Sequence, residues 1–116
     1  MKRKKKVFIS YTVRDNLVDE HFLNELNELL NKSFYVFIDY LHNDSINKQD
    51  RIEKEITSSD ILFLIITKQI FYSEWVLQEI EIAKKMNIPI YEFEFCELRD
   101  KKFLPIIDFK YKENSI

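Results

Sequence analysis

A chain of 116 residues that is 46% apolar and 33% charged can bury one sizeable core and reads as a single domain. Its one cysteine, Cys96, excludes an internal disulfide, and no apolar run approaches the roughly 20 residues that cross a bilayer. The net charge is -2, but Lys2, Arg3, Lys4, Lys5 and Lys6 hold five of the 18 basic residues, leaving 13 against 20 acidic ones, a balance of -7; a basic tail on an acidic body lacks the spread basic face that nucleic acid demands.

Only Val7, Phe8 and Ile9 follow the basic run before polar residues return, which is too short for a secretory signal. A cytoplasmic protein with no membrane or nucleic-acid partner is therefore expected. Residues 1–6 read as a tail, 5–109 as the domain and 110–116 as a second tail. Glycine is absent altogether, so no Gly-rich phosphate loop exists. Turns that need a positive φ must use Asn, Asp or Ser, and the Asn-rich segments on either side of the second strand are the expected places.

In chain order, residues 5–10 (KKVFIS) predict a first strand. A polar loop at 11–15 follows, then a helix over 16–30 with Val18, Phe22, Leu26, Leu29 and Leu30 on one side and Thr12 or Asp15 as its cap. Residues 34–38 predict a second strand, apolar on successive residues, as in a sheet buried on both faces. A loop over 40–47 leads to a helix over 48–57, with Asn47 and Asp50 as a box-like start. Residues 61–66 (ILFLII) form the strongest strand and the expected centre of the sheet. Residues 88–95 predict a fourth strand. Residues 98–103 read as a charged turn or short helix, and 106–109, after Pro105, as a fifth strand at the edge. Alternating strands and helices give an α/β three-layer sandwich around a mainly parallel five-stranded sheet, with little room left for a last helix.

The segment 73–86 (SEWVLQEIEIAKKM) predicts an amphipathic helix capped by Ser73, with Glu74 in its first turn. At 100° per residue, Trp75, Glu79, Ile82 and Met86 fall on one line, flanked by Val76, Ile80 and Ala83. Glu79 thus sits inside the apolar face, one turn after the only tryptophan. Either it leans out to water near the helix start, or it is a functional acid in a pocket walled by an indole. Loops after the strand C-termini gather at one rim, which carries Ser10, Tyr11, Arg14, Asp15, Asp39, Ser73, Trp75 and Glu79. The two histidines, His21 and His42, lie 21 residues apart, and no metal site is expected. Ser10 has neither the flanking glycines nor the histidine base of a hydrolase nucleophile.

The opening Phe8-Ile9-Ser10-Tyr11 with Asp15, the strand end Phe37-Ile38-Asp39, the helix with Ile52 and Ile56 closing on Ser59-Asp60, and Ser73-x-Trp75 followed by Glu79 and Ala83 occur in the order found in Toll/interleukin-1 receptor (TIR) domains. Ile88, Pro89 and Ile90 fit the same pattern. On these motifs the chain resembles a small bacterial TIR domain from about residue 5 to 91, and to 109 with the fifth strand. It departs from the family in lacking the glycines before the second strand and in the loop after it.

The resemblance implies a flavodoxin-like fold and two alternative functions. One is an NAD glycohydrolase or ADP-ribosyl cyclase of bacterial antiviral defence. In that reading Glu79 is catalytic, Ser10, Tyr11, Arg14, Asp39, Ser73 and Trp75 contact the nucleotide, and NAD is a substrate, with no permanently bound cofactor. The other is a non-catalytic adaptor that binds TIR domains through residues 40–47. Either implies a homo-oligomer or another TIR domain as partner, and the enzyme reading adds a separate effector protein.

Overall fold

The computed structural model describes residues 4–114. Lys2 and Arg3 of the basic tail and the last two residues lie outside them. Four parallel strands, β1 (Lys6–Ser10), β2 (Tyr35–Ile38), β3 (Ile61–Ile66) and β4 (Ile90–Glu94), lie in the order β2-β1-β3-β4. The registers include Phe8 opposite Phe37, Ser10 opposite Leu64, and Leu64 opposite Glu92. The helices are α1 (Glu20–Asn31), α2 (Asp39–His42), α3 (Lys48–Thr57), α4 (Glu74–Lys85), α5 (Phe95–Asp100) and α6 (Leu104–Asn114), with a 3-10 turn at Ile70–Tyr72 before α4.

The layers follow from the strand order. The chain steps one way from β1 to β2 and the opposite way from β2 to β3 and from β3 to β4. With crossovers of one hand, α1 must lie on one face and α3 and α4 on the other. The core divides accordingly. Val7, Ile9, Ile61, Phe63 and Ile65 pack with Leu23, Leu26 and Leu30 of α1 and with Leu98, Ile106 and Phe109. Phe8, Leu62 and Leu64 pack with Ile52 and Ile56 of α3 and Val76 and Ala83 of α4. The alternation of a strand thereby sends Ser10, two residues after Phe8, toward the α4 side.

The α/β sandwich agrees with expectation, but the sheet has four strands where five were expected. Residues 106–109 lie in α6, and Lys110 onward continues that helix where a tail was expected. A four-residue segment with three apolar positions is too short to betray its period. As a helix it turns Ile106 and Phe109 inward together while Ile107 faces solvent; a strand would have put Ile106 and Phe109 on opposite faces. Pro105 stands in the first turn, where its missing N–H costs nothing. The ring of Phe109 meets those of Phe34, Phe63, Tyr91 and Phe93 at centroid distances of 5.3, 5.6, 5.1 and 5.4 Å. Glu113, one turn on, pairs with Lys5 at 3.1 Å and accepts from the Tyr91 hydroxyl.

Caps explain the remaining boundaries. Asp19, not Thr12 or Asp15, caps α1, accepting the Phe22 N–H at 2.9 Å, so the helix begins four residues later than expected. Asn47 accepts the Asp50 N–H at 3.2 Å, as its spacing suggested. The glycine-free loop after β2 begins with the single turn α2 and is then pinned by Asn43. That side chain donates to Asp39 Oδ1 at 2.7 Å and accepts the Ser45 N–H at 3.2 Å.

Among the described residues, positive φ occurs at Asn16, Asn87, Lys102 and Phe103, and not in the segments beside β2 where it was expected. Asn87 follows α4 in a Schellman turn, with the Ile88 N–H on the Ala83 carbonyl at 2.8 Å. Lys102 holds the same position after α5, at φ 49°, with the Phe103 N–H on the Leu98 carbonyl at 2.8 Å. A lysine there carries a Cβ penalty of about 1 kcal/mol that glycine escapes. Lys102→Gly is therefore expected to raise the melting temperature by roughly 4 °C in a thermal scan. An unchanged or lower midpoint contradicts the strain.

Candidate active site

The strand order reverses between β1 and β3, where α/β sheets open a crevice at the strand C-termini. Ser10 ends β1 there. The 67–73 connection brings α4 back over the same rim, and Ser73 caps it by accepting the Val76 N–H at 3.3 Å. From that cap the helix carries Val76, Glu79 and Ala83 on its buried line. Trp75, on the shoulder, is 40% exposed.

Glu79 is only 5% exposed; it does not lean out to water. The Ser10 hydroxyl, itself fully buried, donates to Glu79 Oε1 at 2.7 Å. Burial pushes the Glu79 carboxyl up to about 8; the Ser10 hydrogen bond opposes that rise and the Asp39 carboxylate adds to it. The Tyr11 phenol is also pushed up, to about 12, by burial and by Asp39 and Glu79, against the hydrogen bond it accepts from the Tyr40 N–H at 3.3 Å.

These groups surround a cleft of about 270 Å³. Glu79, Asp39, Tyr11 and Thr12 supply its polar atoms, and Trp75, Tyr40, Val13 and Ile9 its apolar walls. A cavity of about 500 Å³ on the opposite face, against Phe22, Phe95 and Phe103, is larger. It has no buried carboxyl, which makes the smaller cleft the candidate site.

Of the residues expected at the rim, the fold brings Tyr11, Asp39, Trp75 and Glu79 into the cleft wall. Ser10 lies behind Glu79, touching its carboxyl. Ser73 is occupied as a cap. Arg14 is exposed and is not in the cleft lining. Tyr40 and Thr12 line the cleft without having been singled out. Tyr40 follows Asp39 directly, and an aromatic in a polar loop was the signal available. Its hydroxyl donates to Glu20 at 3.4 Å, tying the loop after β2 to the start of α1. Among the described residues, no group of three or more His, Cys, Asp and Glu is placed to hold a metal ion. No helix there is long and apolar enough to cross a membrane.

A family model described as TIR domain matches residues 7–114. The chain belongs to the TIR domain family. The match runs through α6, which places that helix inside the TIR domain. Among solved structures, the TIR domains of the activated Roq1 resistosome, a complex that directly recognises the pathogen effector XopQ, superpose with a TM-score of 0.58 at 24% identity. The alignment covers 78% of this chain and 57% of that one, a likeness of fold. No curated protein matches the sequence.

Proposed function

We propose that this TIR domain cleaves the bond between nicotinamide and ribose in NAD, releasing ADP-ribose or its cyclised form, with Glu79 as the catalytic carboxylate. The observation that carries the reading is a buried carboxyl on the wall of an aromatic cleft where the strand order reverses. When the C–N bond breaks, its electron pair leaves with nicotinamide, and positive charge builds on the ribose. A fixed carboxylate in a water-poor site stabilises that cation far better than one in bulk water. Water then forms the new bond and releases a proton, or an adenine nitrogen forms it and closes the ring.

The raised affinity of Glu79 for its proton, set by burial, is countered when the substrate binds. The nicotinamide ring of the substrate is itself cationic, and its arrival favours the ionised carboxyl. Trp75 offers an open indole face for stacking. A cleft of about 270 Å³ lies below the roughly 300–1,000 Å³ of complete ligand sites. It takes the nicotinamide riboside end, and the rest of the dinucleotide lies outside, against whatever chain covers the rim. A second copy or another TIR domain in an assembly suits that role, with a separate effector reading the product in a cytoplasmic defence pathway.

The test is nicotinamide release from NAD at high protein concentration by the wild type and Glu79→Gln, with linear and cyclic products separated. Release by the wild type alone supports the enzyme. Equal background from both, even when crowded, removes it. The adaptor reading then stands, and one observation favours it: Ile46 in the loop after β2 is fully exposed, as a contact residue for another chain.

A further inference from the structure

Ser10 sits where an apolar residue was due. Phe8, on the same face of β1, and Leu64, its neighbour across the ladder, are fully buried hydrophobics. A buried hydroxyl needs a partner, and this one has the Glu79 carboxyl at 2.7 Å. It stands at the end of a strand hydrogen-bonded on both sides, to β2 and to β3. The hydroxyl is therefore mounted on an interior strand of the sheet, while the carboxyl it holds comes from a helix.

We infer that Ser10 is a positioning residue: its hydroxyl holds Glu79 Oε1 against the sheet and leaves Oε2 as the oxygen presented to substrate in the cleft. Ser10 is absent from the cleft lining while Glu79 is part of it, so Ser10 makes no substrate contact itself. This inference rests on the NAD-cleaving reading and assigns a role inside it.

The groups facing the Glu79 carboxyl are Ser10 from β1, Tyr11 from the loop after it and Asp39 from α2. Among the described residues no cation contributes. Ser10 is then the one group that favours the ionised form, because a hydroxyl donating to a carboxylate stabilises the charge. Its removal leaves burial and Asp39 unopposed.

The test uses Ser10→Ala and Ser10→Thr, each first checked for a wild-type circular dichroism spectrum. The carboxyl carbon of Glu79 is titrated by NMR, and the pH dependence of kcat and KM for nicotinamide release is measured. In Ser10→Ala the Glu79 midpoint is expected to move up by about one pH unit. The acid limb of the rate profile should move with it, and kcat should fall by roughly 10- to 100-fold with KM changed less than about threefold. Ser10→Thr, which keeps the hydroxyl, should retain the wild-type midpoint. A Glu79 midpoint unmoved in Ser10→Ala overturns the inference, as does a moved midpoint with unchanged kcat. If the wild type releases no nicotinamide but Ser10→Ala still shifts Glu79, the enzyme reading fails and the hold of Ser10 on Glu79 stands.

Discussion

Glu79→Gln is expected to make the folded protein more stable at pH 8.5, by on the order of 3 kcal/mol, while lowering nicotinamide release by at least about 10³-fold. The two effects share one cause. In the fold, the Glu79 carboxyl keeps its proton up to about pH 8, against an ordinary value of 4.5. The unfolded chain gives up that proton near 4.5 and the folded chain does not. Stability from this group is thus complete below pH 4.5 and falls as pH rises, until it levels off above 8. Glutamine has the same shape, can still accept from Ser10, and never ionises. The advantage of the variant should therefore be absent at pH 4, grow through neutrality and reach its maximum above pH 8. Denaturant unfolding at three pH values measures it. A variant no more stable than wild type at pH 8.5 would show that Glu79 is not buried as described. In the proposed reaction the carboxylate is the working form, so kcat/KM of the wild type for nicotinamide release is expected to rise through about pH 8.

Phe109→Ala should cost about 3–5 kcal/mol, enough to bring a domain of this size close to the limit of stability. Phe109 is 3% exposed and touches four aromatic rings. Phe34 precedes β2, Phe63 comes from the middle of β3, and Tyr91 and Phe93 come from β4. Deleting the ring leaves a void bordered by rigid strands that cannot close it. Ile107→Ala, one turn-face away and 53% exposed, should cost less than about 0.5 kcal/mol. Equilibrium unfolding of the pair checks the helical phase of α6 directly. If residues 106–109 were an edge strand, Ile107 and Phe109 would share a face and the two variants would weaken the protein together.

The contrast between α4 and α6 marks what could be read from the residues alone. In α4, twelve residues carry a Ser cap, an acidic first turn, a basic last turn and a repeating apolar face, so type and boundaries were legible. So was Glu79, because a carboxylate on an apolar line is conspicuous. In α6 the inward line is Ile106, Phe109 and the half-buried Glu113, and its partners include residues on distant segments, at Lys5, Phe34, Phe63 and Tyr91 with Phe93. Nothing local distinguishes that from a short strand. The site divides in the same way. Tyr11, Asp39, Trp75 and Glu79 follow from which loops the topology gathers. That Ser10 stands behind Glu79 and that Arg14 stays at the surface depend on side-chain direction, which a rim assignment does not contain. The positive φ angles went to Asn87 and Lys102 because helix ends demand them, whereas the Asn43 loop is held by side-chain hydrogen bonds instead.

Among the described residues the sheet has no fifth strand, which makes β4 one of its two borders, the kind of edge on which another strand can add. Glu92 and Glu94 on β4 are both exposed. A second copy docking there by strand addition would bring four carboxylates together along one short ladder. That repulsion blunts the border against uncontrolled growth of sheet on sheet. Extension of the sheet into a fibre through this border is thereby disfavoured.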